Sequence, residues 1–239
     1  MLSLDFHIHG FYCYKEMLRL NNLINLMLET SGEDSVKNGV SFESLLTEGY
    51  TWVISKWKLE IKRPIMKDEK ISIKTWPSSF RKIYAFREYQ VSDKNGDIVV
   101  KATAVFVLVD LKEKKSVLIP DKVALKYNLI NQKNFNKIEK IIKPEKISIV
   151  DEFKIRPTNI DINGHVNNSV YLDWIENTIN ANRPKAFINE INMIYKKEIR
   201  NKDRVFIKAD SNFNYMEVST DSVNTEINLK LKNLEQLVF

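Results

Sequence analysis

Asp161, Asn163, His165, Asn167 and Asn168 fall within eight consecutive positions of the stretch RPTNIDINGHVNNSVYLDWIE, residues 156–176. A carboxylate, an imidazole and side-chain amides are the groups that orient water, move a proton and hold a carbonyl oxygen as it gains charge. Pro157, Thr158, Asn159, Asp161, Asn163 and Gly164 are turn formers, so the stretch reads as a loop. If that loop is extended, Asp161, Asn163 and His165, each two positions apart, project to one side and gather carboxylate, amide and imidazole together. A helix follows, capped by Asn167 or Asn168, with Val170, Tyr171, Trp174, Ile175, Thr178 and Ile179 on one face. Backbone N–H groups at such a start, near Val166 to Asn168, favour negative charge arriving on a substrate oxygen. Each residue alone also has a structural role open to it: Asp161 as turn former, His165 as a donor to backbone, the asparagines as caps.

The elements that must position these residues can be read in order. Leu2, Leu4, Phe6 and Ile8 alternate with Ser3, Asp5, His7 and His9, the period of a strand with one buried face. His7 and His9 share its polar face and are read as exposed strand residues and not as metal ligands. From Tyr14 to about Asn38 apolar residues repeat at helical spacing, and Gly39 supplies a stop. This helix is so broadly apolar that it needs a sheet wrapped around it. Residues 50–62, 69–77, 80–93 and 97–111 read as four strands, separated by turns at Arg63-Pro64, Pro77-Ser78-Ser79 and Asp93 to Gly96, which implies an antiparallel meander. Residues 112–144, rich in Lys and Asn, form a connector with a short helix around Asp121 to Leu129.

The order then restarts. Ile147, Ile149 and Phe153 suggest a strand, residues 168–182 a helix stopped by Arg183-Pro184, and residues 188–199, 203–210, 212–219 and 222–233 four more strands. A short fragment preserves the repetition: Glu60-Ile61-Lys62, Lys67-Asp68 and Ile71 to Lys74 parallel Glu198-Ile199-Arg200, Lys202-Asp203 and Val205 to Lys208. The fold class is therefore α+β, a duplicated unit whose two sheets can join edge to edge and so remove two exposed edges.

Composition narrows the function classes. At 239 residues with 44% hydrophobic residues, the chain can bury a sizeable core. One cysteine, Cys13, excludes an internal disulfide and, with no secretory signal or long apolar run, points to a cytoplasmic protein without a membrane span. The formal charge of +6 suits an acidic partner. Nucleic acid is disfavoured, since no recognition motif or basic aromatic cluster accompanies the charge. No zinc-binding spacing, phosphate loop or dinucleotide fingerprint occurs, so neither metal nor cofactor is expected.

Asp161-Ile162-Asn163-Gly164-His165-Val166-Asn167-Asn168, with Tyr171, Trp174 and Tyr195-Lys196-Lys197-Glu198 downstream, resembles the acyl-acyl carrier protein thioesterase family. Trp52-Val53, Arg63-Pro64, Thr75-Trp76-Pro77, Arg81, Arg87 and Asp93 to Gly96 extend the likeness into the first half. The resemblance implies a double hotdog fold, two repeats each with a long helix wrapped by an antiparallel sheet. It implies an N-terminal hotdog domain over 1–118 that holds an acyl chain, a linker over 119–144 and a C-terminal hotdog domain over 145–239 with the catalytic residues. The activity implied is hydrolysis of fatty acyl-acyl carrier protein to free fatty acid and holo carrier protein in fatty acid biosynthesis. The carrier protein and its acyl thioester are then the partners, and a homodimer is left open.

The family match assigns catalytic roles to Asp161, Asn163, His165 and Glu198. On this reading Glu198, on the strand after the second helix, orients or deprotonates water. Asn163 and His165 hold the thioester and the water, and Asp161 fixes the orientation of one of them. Which group takes the proton is left open. Some members carry a cysteine directly after that glutamate; here the position is Ile199, and Cys13 lies in the other half, so direct water attack is preferred to a cysteine nucleophile. Two other readings stand beside this one: an acyl-CoA thioesterase, and a non-catalytic acyl-binding or sensor module. A hotdog hydratase is disfavoured, because its Asp-x-Asn-Pro-x-His arrangement is not matched.

Overall fold

In the computed structural model, which describes residues 1–236, the N-terminal alternation becomes strand β1 (Leu2–His7), with Ile8 buried just beyond it. The last three positions of the expected 145–239 domain lie outside the described residues. His7 and His9 are exposed, their rings tilted against each other at 4.4 Å. The helical spacing expected from Tyr14 is broken by a small hairpin of β2 (Cys13–Tyr14) and β3 (Met17–Leu18). Lys15 and Glu16 take φ of 46° and 65° at its turn, which a helix cannot contain. Helix α1 therefore runs only from Leu20 to Lys37, and Gly39 follows it at φ 68°. A second helix, α2 (Phe42–Thr47), is too short for its apolar spacing to stand out; the Ser41 hydroxyl accepts from the Ser44 N–H at 3.2 Å.

The meander follows as β4 (Tyr50–Ile61), β5 (Lys70–Arg81), β6 (Tyr84–Asp93) and β7 (Ile98–Asp110), with β8 (Lys115–Ser116) pairing back on β7. Pro77-Ser78-Ser79 is not a turn as expected. Strand β5 passes through it on a bulge, where Pro77 has no N–H to give and the Ser78 hydroxyl donates to Glu88 instead, and the turn comes at Lys82 with φ 57°. The connector holds one short helix, α3 (Asp121–Ala124). Then come β9 (Ser148–Lys154), α4 (Asn168–Asn182), β10 (Ala186–Tyr195), β11 (Arg204–Ala209), β12 (Tyr215–Ser219) and β13 (Val223–Asn233).

The strand order β1-β5-β6-β7-β4-β10-β13-β12-β11-β9 reads the same from both ends once each strand is replaced by its counterpart. The seam is the antiparallel pair of β4 and β10, Leu59 opposite Ile191 and Trp57 opposite Met193. Both long helices pack on the side chains of one face, and a single apolar core including Ile24, Met27, Trp57, Leu172 and Ile175 runs through both repeats.

Three backbone hydrogen bonds recur as twins. Ile8 N–H to Glu69 O matches Ile155 N–H to Asp203 O, Leu18 to Ile65 matches Val166 to Ile199, and Arg19 to Tyr12 matches Asn167 to Asn159. These pairings correct the fragment match read from sequence: the twin of Glu198 is Pro64, one place before Ile65, and not Glu60. The twin of His165 is Met17.

Helices α1 and α4 meet at an ionisable group. Glu176 on α4 accepts from the Leu20 N–H, the first of α1, at 3.2 Å. Burial pushes its carboxyl up to about 7, with the Leu20 N–H and Arg19 opposing and Asp173 adding to the rise. A carboxyl with a raised folded pKa favours the folded state while protonated. Its contribution is present in full below about pH 4.5 and is lost as the pH climbs through about 7. Glu176→Gln keeps the acceptor for Leu20 without the charge. Thermal melts should show the variant more stable than wild type at pH 8, by ~3 kcal/mol at most, and the two equal near pH 4; equal melting at both values would show that Glu176 ionises without penalty.

Candidate active site

The loop that carries Asp161, Asn163 and His165 is not extended. Ile160 and Val166 form a bridge that closes it, Gly164 takes φ 77°, and the Asp161 N–H donates to the His165 carbonyl at 2.7 Å. The Asp161 carboxylate is turned into the loop, where Oδ1 accepts from the N–H groups of Asn163 at 2.8 Å and His165 at 3.0 Å. Asp161 thus fixes the backbone beneath the two residues, where the sequence had suggested an acceptor for one of their side chains. Asn163 is exposed, and Ile162 at the tip is 91% exposed.

Asn167 is the cap of α4, its Oδ1 accepting from the Ser169 N–H and hydroxyl, both at 3.1 Å. The expected pool of free N–H groups is smaller than composition implied. Val166 donates to Ile199 O at 3.1 Å and Asn167 to Asn159 O at 2.9 Å, which leaves the Asn168 N–H without such a partner among the described residues.

Glu198 is not on a strand. Strand β10 ends at Tyr195 because the next two N–H groups, Lys196 and Lys197, both converge on the Asn224 carbonyl, at 2.8 and 3.2 Å. The chain leaves the ladder there, and Ile199 is picked up by the polar loop through Val166. Between these two attachments the Glu198 carboxylate reaches His165: Oε2 lies 3.2 Å from Nε2 and 3.2 Å from Arg200 Nη2. His165 Nε2 is shielded from solvent yet makes no well-directed hydrogen bond. The approach is thus close but off-axis for a hydrogen bond. The Glu198 side chain is 51% exposed and that of His165 13%, so the carboxylate stands at the water side and the imidazole beneath it.

All four residues line one groove of about 850 Å³ between the two repeats. Its other wall is apolar and comes from the first half: Phe42 and Leu46 of α2, Trp52 to Ile54 of β4, and Phe106 and Val109 of β7. Tyr171 and Tyr195 meet edge to face at 5.4 Å at its inner end, and the Tyr195 hydroxyl donates to the Asn168 carbonyl at 2.8 Å. Lys114, Lys196, Lys197 and Arg200 also line it, against Asp110, Asp161 and Glu198. Sequence reasoning missed α2 and the tyrosine brace; the signals for α2 were Ser41 as a cap and Phe42, Leu45 and Leu46 at helical spacing behind it.

Residues 11–127 match the model of the acyl-ACP thioesterase N-terminal domain, and residues 142–237 that of the C-terminal domain. The chain belongs to the acyl-ACP thioesterase family. Relatives of this family similar to the chain include an oleoyl-acyl carrier protein thioesterase of Coriandrum sativum, 25% identical over 78% of the chain and 56% of its own length. An acyl-[acyl-carrier-protein] hydrolase of Cuphea viscosissima is 26% identical over 65% of the chain and 41% of its own length. The chain spans about half the length, or less, of such curated relatives.

Solved thioesterases share the fold over nearly their whole length. The acyl-ACP thioesterase of Bacteroides thetaiotaomicron superposes with a TM-score of 0.87 at 23% identity, covering 96% of this chain and 97% of that one. The 12:0-ACP thioesterase of Umbellularia californica gives 0.79 at 17% identity, covering 97% and 96%. The double hotdog expected from the sequence is the fold of this family member. No helix among its described residues is long and apolar enough to cross a membrane.

Asp161→Ala removes the acceptor of two loop N–H groups. In hydrogen-exchange measurements the Asn163 and His165 amides should exchange ~10-fold faster or more, in keeping with a lost bond worth about 1.5 kcal/mol or more, while β13 amides keep wild-type protection. Unchanged exchange at both loop amides would contradict the role of Asp161 as the loop's internal anchor.

Proposed function

We propose that this protein hydrolyses fatty acyl thioesters carried on acyl carrier protein, releasing the free fatty acid and the carrier thiol. The observation that carries the reading is the approach of the Glu198 carboxylate to His165 Nε2 at 3.2 Å, at one end of a groove whose opposite wall is apolar. An apolar wall suits an alkyl chain, and a carboxylate and imidazole at its end suit attack by water on a carbonyl placed there. The N-terminal domain, 1–118, holds the chain, the C-terminal domain, 145–239, supplies the polar groups, and 119–144 ties the two.

Water held between Glu198 and His165 adds to the thioester carbon as its proton passes to Glu198. The carbonyl oxygen, now negative, is met by the Asn168 N–H at the start of α4 and by the Asn163 amide. The C–S bond then breaks, the acid leaves with the new oxygen, and the thiolate takes a proton back from the site. Arg200 Nη2 donates to Glu198 Oε2 at 3.2 Å and so helps to hold the carboxylate in place. No cysteine takes part: Ile199 follows Glu198, and Cys13 lies in the β2 strand of the other repeat.

The substrate's carrier is read from charge. A formal +6, with Lys114, Lys196, Lys197 and Arg200 lining the groove, suits an acidic carrier protein. The lone cysteine fits the reducing cytoplasm.

The test is thiol release from a panel of acyl thioesters on carrier protein and on coenzyme A. Glu198→Gln and His165→Ala should each lower kcat by ~10²-fold or more; near-normal turnover in both would remove the site from the groove. Raising ionic strength from low to physiological should lower kcat/KM for carrier-bound substrates several-fold. A salt-independent kcat/KM would point instead to a small thiol carrier.

A further inference from the structure

Resting on the site reading above, we infer that Asn224 is a positioning residue for Glu198, holding the turn that carries the carboxylate although it does not line the groove. Asn224 is the second residue of β13 and is 1% exposed. Its carbonyl accepts from the Lys196 and Lys197 N–H groups, and its side-chain Nδ2 donates to the Lys197 carbonyl at 3.2 Å. Its Oδ1 accepts from the Thr220 N–H at 2.9 Å and from the Thr220 hydroxyl at 3.0 Å. A backbone N–H can only donate, so the Thr220 contact fixes which end of the amide points at Lys197.

The consequence falls on one residue. Lys197 is held on both its N–H and its carbonyl by Asn224, and Ile199 is held on its carbonyl by Val166, so Glu198 is the residue between two clamped neighbours. With its peptide flanks fixed, the carboxylate has only its own side-chain rotamers to search before it meets His165.

The duplication supplies an internal control. The Lys196 N–H to Asn224 carbonyl bond has its twin in the Lys62 N–H to Val99 carbonyl bond at 2.9 Å, so the twin of Asn224 is Val99. Val99 is as deeply buried, and its side chain can clamp nothing. The same sheet position is thus filled by a valine where the neighbouring turn presents Pro64, and by an amide where it presents Glu198. A buried amide is costly unless its bonds are made, and the fold does without one in the first repeat. What the amide adds in the second repeat is the hold on Lys197, together with an acceptor for Thr220.

Asn224→Val installs the residue that the fold already accepts at the twin position. Steady-state thiol release from an acyl carrier protein thioester would be measured for wild type, Asn224→Val, Glu198→Gln and the double variant. Asn224→Val should lower kcat ~10-fold, since a displacement of about 1 Å can cost that much or more, with KM moved less than ~2-fold. In the Glu198→Gln background the same change should lower kcat by less than ~2-fold, because the group being positioned is already gone. A wild-type kcat in Asn224→Val, or a further tenfold loss in the double variant, would overturn the inference. Wild-type kcat in Glu198→Gln would overturn the site reading itself, and the inference with it. Should Asn224→Val give no soluble protein, Asn224→Thr, which keeps a hydroxyl for Thr220 and has no amide to offer Lys197, enters the same cycle with the same criteria.

Discussion

The antiparallel pairing of β4 with β10 is the constraint on which the rest of the molecule depends. It joins two sheets whose lone edges would each invite pairing with another chain, and it lets one apolar core serve both long helices. It also decides where the site can be. Strand β4 begins at Tyr50, beyond the end of β10 at Tyr195, so its first residues overhang the seam and stand beside the polar loop of the other repeat. Trp52 to Ile54 reach the groove for that reason. On the outer face the seam is fastened by charge: Lys58 of β4 is bound to Glu190 of β10 and lies 3.3 Å from Glu139 of the connector.

The connector does more than join. It crosses the face of the sheet opposite the helices and satisfies groups that would otherwise be buried without partners. Trp76 donates to the Gln132 carbonyl, Asn134 gives its N–H to Glu88 and its side-chain amide to the carbonyls of Tyr89 and Ala102, and Asn192 donates to the Glu139 carbonyl. Lys143 reaches Glu217, where burial would raise the carboxyl but Lys143, Tyr215 and Lys208 together hold it below the usual range. Glu88, with neutral partners in Thr103 and Ser78, is instead pushed up by burial. These contacts explain why residues so polar form a defined path with little secondary structure: from Asn134 to Lys143 the bonds go to the sheet beneath.

What the sequence disclosed and what it hid divide along the same physical line. Period-2 and period-3.6 patterns are set by one buried face, so the strands, α4 and the duplication were legible from apolar spacing alone. The hairpin at Lys15-Glu16 was not, because its neighbours Met17, Leu18 and Leu20 continue the helical spacing while serving a different surface. The polar loop was recognisable by composition, but its shape was not, since Asp161 could bond outward to a substrate group or inward to Asn163 and His165, and only the folded chain chooses. Several first-half residues that carried the family resemblance turn out to be braces: Arg87 binds Asp34 of α1 at 2.8 Å, and Arg63 ties Glu69 to Asp93. Their value to recognition came from structure and not from chemistry.

The two repeats share a backbone closely enough to repeat four hydrogen bonds at matching positions, so their differences there set the polar end of the groove apart. Met17, Pro64 and Val99 in the first repeat stand where His165, Glu198 and Asn224 stand in the second. Each exchange replaces an apolar or inert group with one that needs a partner. In the second repeat the partners are supplied by one another: imidazole by carboxylate, the carboxylate's turn by the amide. The Asn224 amide is the deeply buried member, and without Thr220 and the Lys197 carbonyl it would carry an uncompensated desolvation cost. The apolar set in the first repeat has no such dependence and frees that end of the fold from the need for water. A groove with a polar end and a greasy wall therefore follows from two repeats that differ at these positions, with the seam between β4 and β10 bringing the first repeat's strand to the second repeat's loop.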